Sequence, residues 1–96
     1  MLIDTHAHLN FNAFKNDLDE VIKRSLAEDI WMINVGSNYE TSKKAVEIAG
    51  KYNGIFAAIG LHPIHAKDEN FNASEYRSLC QSDKIVAIGE IGLDYF

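Results

Sequence analysis

Leu2-Ile3-Asp4-Thr5-His6-Ala7-His8 opens the chain, a short apolar run that ends in a His-x-His pair. Side chains alternate along an extended strand, so His6 and His8 leave it on the same side. Two imidazoles on one side can hold a divalent cation when a carboxylate meets them from elsewhere in the fold.

Three further apolar runs follow: Trp31–Val35, Ile55–Ile59 and Ile85–Ile88. With Leu2–Asp4 they make four. They are rich in Ile, Val and Ala and show little polar alternation, as in parallel strands covered on both faces. Their centres lie about 25–30 residues apart, the length of a βαβ unit. Helical patterns fill the gaps. From Lys15 to Asp29, Leu18, Val21, Ile22 and Leu26 keep the spacing of one buried face, with Asn16 or Asp17 to cap it and Glu20 in the first turn. From Asn38 to Tyr52, Ala45, Val46, Ile48, Ala49 and Tyr52 form the inward stripe. Ser37 and Glu40 have the spacing of a capping box there, and Gly50 and Gly54 mark the end. A shorter helix is expected from Ala73 to Gln81, capped by Asn72, with Tyr76, Leu79 and Cys80 inward.

The order β-α-β-α-β-α-β predicts an α/β fold of parallel βαβ units in one domain, residues 1–96. Ligands in such folds bind beyond the C-terminal ends of the strands. The polar residues gather there: His6 and His8 after the first run, Ser37 and Asn38 after the second, His62 after the third and Glu90 after the fourth. In Gly89-Glu90-Ile91-Gly92 the flanking glycines are expected to let backbone approach closely and to free the Glu90 side chain to turn inward. Two imidazoles and one carboxylate with open positions suit Zn²⁺, Mn²⁺ or Mg²⁺. His62 can orient a substrate phosphate or serve as general acid or base. His65 has no such placement and reads as solvated. Asp94 follows Glu90 by four residues and can support a ligand histidine. Asp4, buried if its strand is central, needs a hydrogen-bond partner and can orient a ligating imidazole. Trp31 reads as packing.

The formal net charge is −5. An acidic chain is not drawn to nucleic acid by its global field, so any contact with phosphates must be local, through metal ions, a few Lys or Arg, or backbone amides. No run approaches the ~20 apolar residues of a membrane span. The first residues lack the basic and apolar regions of a signal peptide. The single Cys80 forms no internal disulfide and reads as a small core side chain, which fits a cytoplasmic location.

Three pieces together carry a resemblance: Ile3-Asp4-Thr5-His6-Ala7-His8-Leu9, Gly60-Leu61-His62-Pro63, and Ala87-Ile88-Gly89-Glu90-Ile91-Gly92-Leu93-Asp94-Tyr95. In this order and spacing the chain resembles the TatD family of metal-dependent deoxyribonucleases. The resemblance covers the whole chain but only the N-terminal part of the family's TIM-type barrel, for which ~250 residues is typical. It implies that His6, His8 and Glu90 are metal ligands, with Glu90 bridging two divalent ions, and that His62 stands near the scissile phosphate. It implies hydrolysis of phosphodiester bonds, as in members described as 3′–5′ exonucleases on single-stranded DNA or RNA. The family's further ligands, two histidines and an aspartate at later strand ends, have no counterpart in residues 1–96. Half a barrel with half a site is therefore expected, with two open strand edges and an uncovered barrel interior. Such a piece is a truncated product or pairs with the missing barrel half or another copy.

Two other readings compete. Metal-dependent amidohydrolases share the barrel and the His-x-His, but many bridge their metals with a modified lysine at the end of the fourth strand. Lys84 lies at the start of that strand, the wrong end. The second is a non-catalytic barrel fragment that binds a partner chain.

Overall fold

The computed structural model describes residues 1–95; Phe96, the last residue of the expected domain, lies outside them. Among the described residues four strands alternate with three helices: β1 (Leu2–Ala7), α1 (Leu18–Ala27), β2 (Ile30–Val35), α2 (Tyr39–Ala49), β3 (Ile55–Ile59), α3 (Ala73–Leu79) and β4 (Ile85–Ile88). Short 3-10 turns stand at Asn12–Phe14 and Pro63–His65. The sheet order is β1-β2-β3-β4 and every neighbouring pair is parallel. Sequential parallel strands joined through helices are the N-terminal half of a TIM-type barrel.

One face of the sheet carries the core. Met32 stands opposite Ile55 and Ala57 opposite Ile85, all on the side covered by helices. Ile22 of α1 and Ala45, Ile48 and Ala49 of α2 pack onto this row, each at most 1% exposed. The opposite face carries Ile3, Trp31, Ile33 and Phe56, which remain half-buried or exposed. Trp31 packs against Phe56, ring centroids 5.9 Å apart. Coverage on both faces, as read from the apolar runs, therefore holds only for parts of β2 and β3. β1 and β4 are edge strands and leave Leu2, Ile3, Val86 and Ile88 more than half exposed. Asp4, expected to be buried, is exposed for the same reason.

The helices are shorter than their apolar patterns. Residues before Leu18 form the 3-10 turn and a bend, with the Asp17 N–H bonded to the Phe14 carbonyl. Asp17 occupies the cap position of α1 but its side chain makes no capping bond. Asp29 does not belong to the helix: it takes a left-handed φ of 58°, and its carbonyl accepts the Leu2 N–H to start the β1–β2 ladder. The cap of α2 is Asn38, not Ser37. Its Oδ1 accepts the Thr41 N–H at 2.9 Å, while Thr41 Oγ1 accepts the Asn38 N–H at 3.0 Å. The reciprocal box lies one residue later than the Ser37–Glu40 spacing suggests, because Ser37 still belongs to the turn leaving β2. Asn72 caps α3 as expected. Cys80 is exposed, not core, because α3 buries only Tyr76 and ends before the cysteine. No helix among the described residues is long and apolar enough to cross a membrane.

Candidate metal centre

The C-terminal ends of the strands bring His6, His8, His62 and Glu90 together. Glu90 Oε2 stands 3.7 Å from His6 Nε2 and 4.0 Å from His8 Nε2. Its other oxygen, Oε1, stands 3.8 Å from His62 Nε2. These separations exceed hydrogen-bond length, so the imidazoles surround the carboxylate without saturating it. Among the described residues, His6, His8 and Glu90 form the one set of three with ligand atoms all within 4.8 Å of one another. Around an ion with bonds of ~2.0–2.2 Å, ligand atoms at tetrahedral or right angles stand about 3–3.6 Å apart. The two imidazoles would close by about an ångström to share an ion with Glu90, and these imidazole and carboxylate donors suit Zn²⁺ or Mn²⁺.

Backbone contacts fix the proton positions of two of the rings. His8 Nδ1 lies 3.0 Å from the Val35 carbonyl oxygen. A carbonyl only accepts, so Nδ1 carries the hydrogen and the neutral ring turns its Nε2 lone pair toward Glu90. Phe11 packs against the His8 ring at 4.4 Å. His62 is arranged the opposite way. Its Nδ1 accepts the Ile64 N–H at 3.0 Å, so the neutral ring carries its hydrogen on Nε2. At the same carboxylate, His8 presents a lone pair and His62 presents a donor.

Glu90 reaches the histidines by crossing the sheet. The Gly89 N–H donates to the Ile59 carbonyl at 2.8 Å, and the next N–H, of Glu90, donates to Gly36 at the end of β2, 3.1 Å away. The Gly89–Glu90 peptide is cis. This path passes directly over Gly60, where a Cβ would stand 2.8 Å from the Gly89 carbonyl carbon. Below, Ser42 Oγ accepts the Gly60 N–H at 3.2 Å and donates to the Gly60 carbonyl at 3.3 Å. A Cβ at Gly36 would come within 2.2 Å of that same Oγ. The glycines that permit the close approach are therefore Gly36 and Gly60. Gly89, expected to serve that purpose, has open space where a Cβ would go, and Gly92 takes a φ of 139°.

Asp4 Oδ1 accepts the His6 backbone N–H at 3.0 Å, a bond to backbone and not to the ring, and steadies the strand end that carries His6 and His8. Asp94 is exposed and lines an open cleft of about 600 Å³ with His62, Glu90 and Leu93. His65, read as solvated, is half-buried, its ring 6.4 Å from that of His62. Asn38 is the cap of α2, and Ser37, in the turn before it, has a carbonyl that accepts the His62 N–H at 2.7 Å. Lys84 stands at the opposite end of β4 from Glu90, its Nζ bonded to the Tyr52 carbonyl at 3.1 Å. Asn34 stands outside the set of site residues expected from the sequence. It is fully buried and its Oδ1 accepts the Leu9 N–H at 3.0 Å, which ties the segment after His8 to β2. A lone amide inside the run Trp31–Val35 is the signal that marks it.

A parallel half-barrel with one histidine near the end of its first strand, a second just past it and a facing glutamate after its fourth strand is the architecture of the barrel-type metal-dependent hydrolases. Comparison with known proteins narrows the class. The TatD related DNase model matches residues 3–96, and the chain belongs to that family. It is 44% identical over 97 residues to the uncharacterized metal-dependent hydrolase YabD of Bacillus subtilis, covering 99% of this chain and 38% of that protein. It is 34% identical over 96 residues to the 3′-5′ ssDNA/RNA exonuclease TatD of Cronobacter sakazakii, covering 98% of this chain and 36% of that protein. A metal-dependent hydrolase of Methanocaldococcus jannaschii is 34% identical over 94 residues, covering 96% of this chain and 37% of that protein. The chain thus spans little more than a third of the length of these relatives.

Proposed function

We propose that this chain supplies the N-terminal half of a site that hydrolyses phosphodiester bonds in single-stranded DNA or RNA, working from the 3′ end. The observation that carries this is the Glu90 carboxylate set between His6 and His8 on one oxygen and His62 on the other. His6 and His8 would hold a divalent cation through Nε2 with Glu90, and Glu90 would be shared with a second cation completed by residues beyond this half-barrel. When bound, such ions supply a Lewis acid and acidify a coordinated water. His62 acts from the other side, where its Nε2–H donates to a phosphate oxygen and helps steady charge as the bond to the leaving oxygen breaks. Asp4 keeps the His6 backbone in register, and Asp94 lines the cleft with His62 and Glu90. Mg²⁺, Mn²⁺ and Zn²⁺ all suit this donor set in the assembled site. The setting is the cytoplasm.

A second reading rests on the exposed apolar residues of β1 and β4, Leu2, Ile3, Val86 and Ile88. Two open parallel edges invite pairing with the rest of a barrel or with a second copy, and residues 1–96 alone would then bind a partner without catalysis. One experiment separates the two. Cleavage of a 3′-labelled single-stranded oligonucleotide is followed with residues 1–96 and with a chain continued through the second barrel half. We expect metal-dependent cleavage by the longer chain and little or none by the shorter. A longer chain that binds metal but never cleaves would overturn the catalytic reading.

A further inference from the structure

We infer that Glu69 is a positioning residue: it fastens the loop that carries His62 to the N-terminus of α2 and to α3, and thereby fixes the direction of the His62 ring. The inference rests on the role proposed above for His62.

The loop leaves β3 at Gly60 and reaches α3 at Asn72. It is pinned near its start, where the His62 N–H donates to the Ser37 carbonyl at 2.7 Å. It is pinned again at Glu69, and both carboxylate oxygens are used. Oε1 accepts the Tyr39 N–H at 3.1 Å and Oε2 accepts the Tyr76 hydroxyl at 2.7 Å. Between the pins the backbone closes on itself: His65 N–H to His62, then Asp68 and Glu69 N–H to His65, at 2.9, 3.0 and 3.1 Å. A displacement of Glu69 is therefore passed through two tight turns to His62 and to the Ile64 N–H that holds its Nδ1.

Starting α2 does not require this carboxylate. Asn38 and Thr41 already cap the helix reciprocally. What Glu69 takes is the Tyr39 N–H, one of the first-turn donors that a capping box leaves open, at the end where the helix dipole favours an anion. Its second partner is well seated: Tyr76 is 7% exposed, stacked on Phe71 at 5.1 Å and met edge-on by Tyr39 at 5.8 Å. Burial first, and the hydrogen bond to Glu69 second, push the Tyr76 phenol up, which keeps it a donor. The carboxylate thus joins three segments, α2, α3 and the His62 loop, at one point.

The test uses the protein as it is made in the cell, with Glu69→Ala and Glu69→Gln. Amide exchange at Ile64 reads the ring lock directly. Glu69→Ala should speed it about tenfold or more while the β3 amides of Ala57 and Ala58 stay protected. Glu69→Gln keeps an oxygen for Tyr39 and should restore much of the protection, and it carries the test if the alanine variant folds poorly. In oligonucleotide cleavage, Glu69→Ala should lower kcat about tenfold with metal affinity unchanged, and should cost nothing further in a His62→Ala background. Unchanged Ile64 exchange in both variants, or full additivity with His62→Ala, overturns the inference. A wild-type protein without nuclease activity would remove the proposed function, and the exchange result would still decide whether Glu69 locks the loop.

Discussion

The Glu90 N–H donates to the Gly36 carbonyl, 3.1 Å away, although Glu90 follows β4 and Gly36 follows β2. The chain steps over β3 to make this bond, and the step places the carboxylate in front of His6 and His8. Gly60 lies underneath. Its Cβ would meet backbone, which cannot swing aside as a side chain would. Gly60→Ala should therefore lift Glu90 from its seat and weaken metal binding tenfold or more, about 1.4 kcal/mol. Calorimetric titration with Mn²⁺ alongside a melting curve checks this. Unchanged affinity would show that the crossing tolerates a side chain.

Ser42 supports the same step from below. Its Oγ is fully buried and bridges the N–H and the carbonyl of Gly60. Ser42→Ala strands both groups, and the expected loss is about 1–3 kcal/mol of stability. Urea denaturation measures it. A loss well below 1 kcal/mol would mean that water replaces the hydroxyl.

Much of this was legible in the chain. Parallel strands announce themselves as unbroken apolar runs, and Trp31–Val35 and Ile55–Ile59 lie within a residue of their observed bounds. Strand parity put His6 and His8 on one side, and the position of Glu90 after the fourth run put it at the same end of the sheet. What stayed hidden depends on partners distant in sequence. Ser37 and Asn38 are equally good caps locally, and only the turn leaving β2 decides between them. Gly60 looks like an ordinary loop glycine until the backbone of Gly89 is laid across it. Cys80 sits on a helical stripe that ends one residue too soon to be covered. Glu69 gives no local signal, because its partners Tyr39 and Tyr76 lie 30 residues before it and 7 after.

Alkaline pH should destabilise the fold through two tyrosines. The hydrogen bond to Asp19 is the main cause raising Tyr52, and burial followed by the bond to Glu69 raises Tyr76. A phenol whose folded pKa lies above its unfolded value of ~10 stabilises fully below that pH. The contribution is lost as pH rises from there toward the folded value, because the unfolded chain ionises first. Denaturation midpoints should fall above pH ~10, and Tyr76→Phe should flatten the fall. An identical pH profile in that variant would contradict the assignment.

His62 and Glu90 should separate in mutants. In a chain carrying the complete barrel, Glu90→Ala should abolish cleavage and metal binding together. His62→Ala removes a donor and leaves the lone pairs of His6 and His8 in place, so metal should still bind while turnover falls about 10²–10⁴-fold. Loss of metal in His62→Ala would make that histidine a ligand.

The most direct test of the account is a calorimetric titration of residues 1–96 with Zn²⁺ and Mn²⁺, using the unaltered chain, the double variant His6→Ala/His8→Ala, and Glu90→Ala. The unaltered chain should bind weakly, since three ligands leave much of the ion to water, and the affinity should fall on acidification because protons compete for the imidazoles. Both variants should lose binding. Binding that survives the loss of both histidines would place the metal elsewhere and contradict the account.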